Sequence, residues 1–392
     1  MSGAHSSSRS RRHARGASSR TTRRRLVIAG VGVVVVALVA GATVISRSGS
    51  RVSATPTTTP VAHPVASKLP LEIASVSPVD GTSGVASDAT LTVRYSAPLS
   101  PRSPVPTLAP AVAGSWQQVD ATTQDFVAAA PFVPSSTETL TVPAGTGGIL
   151  GTSGQTLAQG ATVHFTVAAG STLRLQQLLA QLAYLPVAFT PAGPLAAPQE
   201  LAQPQEGTFA WRFAEPAELT AQWTPGESNV ITKGAVMAFE DKHGMKTDGE
   251  AGPAVWGALL ADVTAGTVDT AAYNYVLVTK TEPERATVYS NGAAVYSTLA
   301  NTGVTGAETD DGTFPVFEHL TSATMSGTNP DGTKYHDPGI PWVSYFNGGD
   351  ALHGYVRGSY GWPQSDGCVE MPPANAGVVF PYTPIGTLVT VS

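Results

Sequence analysis

The sequence predicts a multidomain, β-rich chain: a membrane anchor, a β-sandwich, a small three-helix module and a mostly β C-terminal domain. Three observations carry this expectation. Only 13% of the 392 residues are charged, against 40 glycines and 31 prolines, a mix that favours loop-rich β domains over helical bundles. A run without a charge fills residues 26–45. Apolar residues recur at helical spacing between residues 172 and 265, but no long amphipathic helix is evident after residue 270. The length suits two to four domains.

The net charge of −6 hides an asymmetry: residues 1–51 hold ten arginines and no acid, and the remainder holds 12 basic against 28 acidic residues. An acidic remainder argues against nucleic acid as a partner, because binding phosphate needs the opposite sign. A single cysteine, Cys368, excludes an internal disulfide framework and suits an exported enzyme that keeps a free thiol.

Residues 1–25 are rich in Ser and Arg and read as a disordered, solvated cytoplasmic tail. Residues 26–45 span about 30 Å as a helix, enough to cross a bilayer. Arginines on the N-terminal side place that side in the cytoplasm. The expectation is a single-pass cell-membrane protein whose C-terminal domains face outward. A cleaved signal peptide is the alternative, since Ala40-Gly41-Ala42 offers a processing site. Residues 46–70, rich in Ser, Thr, Pro and Ala, read as a tether.

Residues 71–169 alternate short β-type runs with Gly/Pro breaks, at 72–76, 90–95, 137–142 and 163–167. Regular short strands predict a β-sandwich. The segments S-P-V-D-G, R-Y-S-A-P-L, G-S-W and V-H-F-T-V resemble bacterial Ig-like wall domains. His164 alternates with Val163 and Phe165, so it reads as a solvent-facing strand residue.

Residues 172–265 read as three helices. Leu173, Leu175, Leu178, Leu179 and Leu182 mark the first, which Pro186 is expected to end. The second starts near Thr232 as N-cap, with Ala235, Val236 and Phe239 on one face. Pro253 opens the third at a favoured first-turn position, with Val255, Trp256, Leu259 and Leu260 apolar. The pattern A-V-x-A-F-E, H-G-M, D-G-E-A-G-P-A-V-W resembles a peptidoglycan-binding module, with residues 186–229 as an insertion. Trp211, Phe213 and Trp223 of that insertion either pack locally or touch substrate. Trp256 reads as core and His243 as a turn residue.

Residues 270–392 form the last domain, with strands at 275–279, 287–289, 295–298, 313–317 and 387–391. Asn291-Gly292 between two of them signals a type I′ hairpin turn. Residues 327–354 read as a long loop, and loops of that length are usually functional. His319 reads as structural. His336-Asp337 lacks the paired spacing of a metal site, so no metal is expected.

The chemistry concentrates between Asp350 and Met371, in D-A-L-H-G-Y-V-R-G-S-Y-G-W-P-Q-S-D-G-C-V-E-M. Cys368 follows His353 by fifteen residues, and a thiol nucleophile needs such a base. Gly367 before the thiol lets backbone N–H groups approach a reacting carbonyl. The plain alternative is a buried cysteine acting as a small hydrophobe, but the glycine- and proline-rich surroundings do not read as a core strand.

His353-Gly354 followed by Ser365-Asp366-Gly367-Cys368 resembles the signature of the YkuD-type L,D-transpeptidases over about 120 residues, from near Tyr273 onward. That family carries H-G, a variable loop and S-H-G-C, often followed two residues on by Arg or Asn. Asp366 and Glu370 depart from it. The fold class then reads as multidomain: membrane anchor, Ig-like β-sandwich, small three-helix peptidoglycan-binding-like module and mostly β YkuD-type catalytic domain.

The resemblance implies a cofactor-free acyltransferase acting on peptidoglycan stem peptides and forming 3→3 cross-links through a Cys368 thioester. It implies His353 as base, Gly354 as the carbonyl orienting the imidazole, and the N–H groups of Gly367 and Cys368 as oxyanion donors. It also implies acylation by carbapenems. Arg357 and Asp366 are candidates for the zwitterionic end of the stem, and Ser365 for a turn-fixing hydroxyl beside the substrate. Met325, Tyr335, Trp342 and Phe346 either line the donor cleft or pack their loop on the sheet. An L,D-carboxypeptidase and a catalytically silent wall-binding protein are the alternatives. A sortase is disfavoured, since no Arg follows Cys368; an NlpC-type peptidase would place Cys before His.

Overall fold

A computed structural model describes residues 70–194 and 196–392. The expected tail, the apolar segment 26–45 and the tether up to residue 69 lie outside the described residues. Among the described residues, no helix is long and apolar enough to cross a membrane.

The first strands are β1 (Ile73–Ser77), β2 (Thr82–Val85), β3 (Leu91–Tyr95), β4 (Thr107–Ala109), β5 (Gly114–Asp120), β6 (Thr123–Ala128), β7 (Thr137–Val142) and β8 (Ala161–Val167). They form two four-stranded sheets, ordered β1-β3-β6-β5 and β2-β8-β7-β4. Alternation decides which side faces in. Leu91, Val93 and Tyr95 of β3 and Val163, Phe165 and Val167 of β8 are buried in one core, each large side chain contributing roughly 1.5–3 kcal/mol. His164 points out and meets Asp80 at 3.4 Å. Four strands escape the sequence reading: β2, β4, β5 and β6. Three of them are sheet edges, where one flank is open to water and the apolar alternation fades.

Next come α1 (Thr172–Gln181), β9 (Val187–Pro191), β10 (Gly207–Trp211), α2 (Ala217–Thr220), α3 (Val230–Lys242) and α4 (Pro253–Ala265). Helix α1 stops well before Pro186. Its terminator is Ala183, at φ +67, in the left-handed conformation that ends helices. The cap of α3 is Asn229, whose side chain accepts from the Thr232 N–H at 2.9 Å; Thr232 is the capped residue, not the cap. Helix α4 begins at Pro253 and buries Val255, Trp256, Leu259 and Leu260. His243 closes α3, stacked on Phe239 with Nε2 3.1 Å from Asp262.

The insertion packs locally. Strands β9 and β10 form a hairpin, and Phe209 lies edge-on to Trp223 at 5.4 Å. Arg174, fully buried, donates to the Leu201 carbonyl at 2.8 Å and to Gln177 at 3.2 Å. Burial pushes this guanidinium down to about 10.

The last region holds β11 (Asn274–Thr279), β12 (Arg285–Ser290), β13 (Ala293–Leu299), β14 (Gly312–Pro315), β15 (Glu318–Thr328), β16 (Lys334–Asn347), β17 (Asp350–Gly354), β18 (Val369–Met371), α5 (Pro373–Val379) and β19 (Leu388–Val391). One sheet runs β13-β12-β11-β19-β14 and the other β15-β16-β17-β18. The Asn291-Gly292 turn has φ +49 and +76, as a type I′ hairpin requires. The segment 327–354, read as a long loop, is mostly strand. Its prolines misled the sequence reading. Pro338 and Gly339 sit where the β15–β16 register shifts, between Ala323 and Met325, and a bulge tolerates the missing N–H.

Strand β11 is buried on both faces, which explains its nearly continuous apolar run. Val276 and Val278 join the core between the two sheets. Tyr275 and Leu277, with Leu388 of β19, instead join the core of the helical segment, alongside Leu178, Phe239, Trp256 and Leu259. The helices are therefore welded to the outer face of the five-stranded sheet.

A shared core predicts joint unfolding. Leu178→Ala, at a fully buried position, should cost about 2–5 kcal/mol. Hydrogen exchange should show β11 and β19 amides losing protection together with those of α1 and α4. Unchanged strand protection would show two independent units.

Candidate active site

The pairing of β17 with β18 builds the site. It is parallel, with Leu352 opposite Val369 and His353 opposite Glu370. Alternation then sorts the side chains. Leu352, Val369 and Met371 enter the core, which leaves His353, Cys368 and Glu370 on the other face. Cys368 and His353 line one cavity of about 270 Å³ with Met325, Asn329, Tyr335, Asp337, Ile340, Tyr355, Arg357, Asp366 and Glu370.

Of the residues expected at the cleft, Met325, Tyr335, Arg357 and Asp366 line this cavity. Trp342 does not: it sits at φ +60, packed on Phe380 at 5.4 Å. Phe346 is core. Ser365, Gly354 and Gly367 act behind the wall. His336 meets the Ser326 hydroxyl at 2.7 Å, and His319 stacks on Phe380. Among the described residues, no cluster of His, Cys, Asp and Glu could hold a metal.

His353 is 2% exposed. Its Nδ1 lies 3.1 Å from the Gly354 carbonyl, so a proton on Nδ1 donates there and leaves Nε2 as the basic nitrogen. Gly354 has no room for a side chain: a Cβ would meet Pro373 at 2.9 Å. Burial holds the imidazole below its ordinary range, with the Gly354 hydrogen bond and Glu370 opposing and Arg357 reinforcing. Burial also pushes the Cys368 thiol up to about 12; the Ala351 backbone opposes this, while Asp350, Glu370 and Asp366 add to it. Both shifts disfavour a preformed thiolate–imidazolium pair.

The turn that carries Cys368 is held from behind. The Ser365 hydroxyl donates to the Cys368 carbonyl at 2.5 Å. The Thr309 hydroxyl donates to the Gly367 carbonyl at 2.7 Å while accepting from the Gly303 N–H at 2.9 Å. Thr302 accepts from the N–H groups of Gln364 and Ser365 and is itself bound twice by the buried carboxylate of Glu284. Gly367 has φ +106, and a Cβ there would lie 2.5 Å from Asp350. A trans peptide points C=O and N–H in opposite directions. With the Gly367 carbonyl tied to Thr309, the Cys368 N–H faces the other way. Neither it nor the Gly367 N–H has a hydrogen-bond partner among the described residues.

Glu370 and Arg357 form a two-pronged ion pair at 2.8 and 2.9 Å. The Asp366 carboxyl faces solvent at the rim, raised mainly by desolvation. Thr309, Thr302 and Glu284 escaped the sequence reading. They lie far from Cys368 along the chain, and the only local signal is the polar turn cluster after residue 300.

Comparison with known proteins gives two family-model matches. Residues 273–391 match the family model of YkuD, the L,D-transpeptidase catalytic domain. Residues 67–167 match that of a bacterial Ig-like domain, Big_5. No curated protein matches the chain. Among solved structures, an L,D-transpeptidase from Mycobacterium smegmatis is 14% identical, covering 83% of this chain and 100% of that one, with a TM-score of 0.28. L,D-transpeptidase 3 from Mycobacterium tuberculosis, in complex with a faropenem-derived adduct, is 13% identical over 82% of this chain and 98% of that one, with a TM-score of 0.28. The catalytic domain of the E. faecium L,D-transpeptidase is 27% identical over 30% of this chain and 96% of that one, also at 0.28.

Proposed function

We propose that the chain is a peptidoglycan L,D-transpeptidase that forms 3→3 cross-links through a Cys368 thioester. The observation that carries this is the cavity itself, within the segment matching the YkuD model. It brings together a thiol and a buried neutral imidazole, beside a turn whose N–H groups at Gly367 and Cys368 are free to bind an oxyanion.

His353 Nε2 takes the proton of Cys368 as Sγ attacks the carbonyl of the third residue of a tetrapeptide stem. The Gly367 and Cys368 N–H groups hold the tetrahedral oxyanion. Collapse breaks the bond to the terminal D-alanine, whose amine leaves with the proton from His353, and a thioester remains. The side-chain amine of a neighbouring stem then attacks, gives its proton to His353 and displaces the thiolate, which recovers that proton. The resting thiol and neutral imidazole favour this general-base route over a standing ion pair.

The proposal extends to the rest of the chain. Residues 26–45 anchor it in the membrane, residues 71–169 act as a spacer, and residues 172–265 face the wall. The core shared by those helices and the catalytic sheet favours a bracing role for them. Protease added to intact cells should remove everything beyond residue 45; protection of the C-terminal domains would reverse the topology.

Incubation with a carbapenem should add one intact drug mass to the protein and none to Cys368→Ala. With disaccharide-tetrapeptide, cross-linked dimer is expected; tripeptide alone would indicate a carboxypeptidase, and neither product, with no adduct, a silent protein.

The acylation rate should fall with pH only as His353 takes up its proton. Its pKa is depressed, so the acid limb should have its midpoint below 6.5, the ordinary imidazole value. A midpoint above 6.5 would contradict a base desolvated by burial.

Thr309→Val should lower the acylation rate about tenfold with little change in apparent substrate affinity. It removes the hydrogen bond to the Gly367 carbonyl and the one from the Gly303 N–H, each worth about 1 kcal/mol, and frees the Gly367 peptide to rotate. An unchanged rate constant would mean that the turn keeps its geometry without this hydroxyl.

A further inference from the structure

Glu370 stands directly beside the base. It is opposite His353 in the β17–β18 pairing, on the same face of the sheet, and its side chain is only 6% exposed. A lone carboxylate there would hold the imidazole as its cation and draw it away from the thiol. Arg357 prevents this. Its Nε and an Nη donate to the two carboxylate oxygens at 2.8 and 2.9 Å, the two-pronged geometry that makes such pairs strong and directional.

The same guanidinium ties down the loop between base and nucleophile. It donates to the Gln364 carbonyl at 3.0 Å and lies 4.7 Å over the Tyr355 ring. The Arg357 N–H donates to the Tyr360 hydroxyl at 3.0 Å, which donates to the Tyr355 carbonyl at 2.6 Å. Tyr355 in turn stands edge-on to His353.

We propose that Arg357 and Glu370 form a positioning pair: it staples the loop that links His353 to Cys368 onto β18, and it cancels the charge that the imidazole would otherwise meet. The relevance to catalysis rests on the acyl-transfer reading above; the effect on the imidazole does not. The groups facing the cavity with His353 are Glu370 on β18, Tyr355, Arg357, Asp366 and Cys368 on the linking loop, and Tyr335 and Asp337 on β16. Glu370 draws a proton onto His353 and Arg357 repels one, so the two halves of the pair act in opposite senses.

The test is a titration of the His353 ring by NMR, with the resonance assigned from its loss in His353→Gln, alongside the pH profile of carbapenem acylation. Arg357→Met leaves Glu370 uncompensated and should move the His353 midpoint up by at least about half a pH unit. Glu370→Gln leaves Arg357 uncompensated and should move it down by a similar amount. Arg357→Met with Glu370→Met should return it to the native value while the acylation rate stays low, because the loop has lost its staple. Arg357→Lys keeps the charge without the fork, so it should hold the native midpoint and lose rate; it also serves if Arg357→Met fails to fold. Single variants that shift the midpoint in the same sense, or not at all, in folded protein would overturn the proposal. Opposite shifts in a protein that no carbapenem or stem peptide acylates would sustain the pair and sink the acyl-transfer reading instead.

Discussion

A parallel strand pair needs a long crossover, and in this protein the crossover runs from His353 to Cys368. Two parallel strands cannot be joined by a tight turn. Strands β17 and β18 are linked by residues 355–368, which contain no helix or strand. The pairing sets His353 and Glu370 side by side and delivers Cys368 at the entry of β18. The chain must therefore hold fourteen irregular residues in a fixed shape to bring thiol and base together. It does so with hydrogen bonds rather than a crossover helix: from the side chains of Arg357 and Tyr360 within the loop, and from the Thr309 hydroxyl and to the Thr302 carbonyl in the segment after β13.

Those ties follow from the cost of buried polar groups. Backbone carbonyls and N–H groups removed from water must find partners. The loop's do: Gln364 and Ser365 donate to Thr302, the Cys368 carbonyl accepts from Ser365, and the Gly367 carbonyl accepts from Thr309. The unpaired N–H groups at Gly367 and Cys368 stand out against that background. Among the described residues, a turn so thoroughly satisfied elsewhere leaves these two donors without a partner beside Cys368. The same burial sets the electrostatics. It lowers His353 and raises Cys368, so the resting site is neutral at its centre and its charge resides in Arg357, Glu370 and the carboxyl groups at the rim.

Local patterns were legible in the sequence where one periodicity dominated. The four apolar positions of α4, the Asn291-Gly292 hairpin and the inward alternation of β3 and β8 follow from spacing alone. The association of His353 with Cys368, which line one cavity, comes instead from the resemblance of their motif to a family signature. Features set by distant contacts were not legible. Ala183 ends α1 by adopting a left-handed conformation that no alanine advertises. The prolines of β16 read as loop because a bulge that accommodates them depends on the partner strand. Trp342 reads equally as cleft wall or as loop packing, and only its positive φ, which turns it onto Phe380, decides between them. Thr309 and Glu284 reach the site only through sheet topology.

The departures from the family motif acquire physical meaning once the pairing is known. Position 370 lies next to His353, so a lone carboxylate there would hold the imidazole as its cation. Arg357, thirteen residues earlier and across the loop, sets a positive charge against that carboxylate. Seen one position at a time, Glu370 is a buried acid beside His353; seen with Arg357, it is one half of an ion pair. Asp366 differs in kind. It lies at the rim, exposed and without a hydrogen-bond partner among the described residues, where water can solvate its charge. Its replacement of a histidine therefore changes the field at the cavity mouth and leaves the His353–Cys368 geometry to the strands that set it.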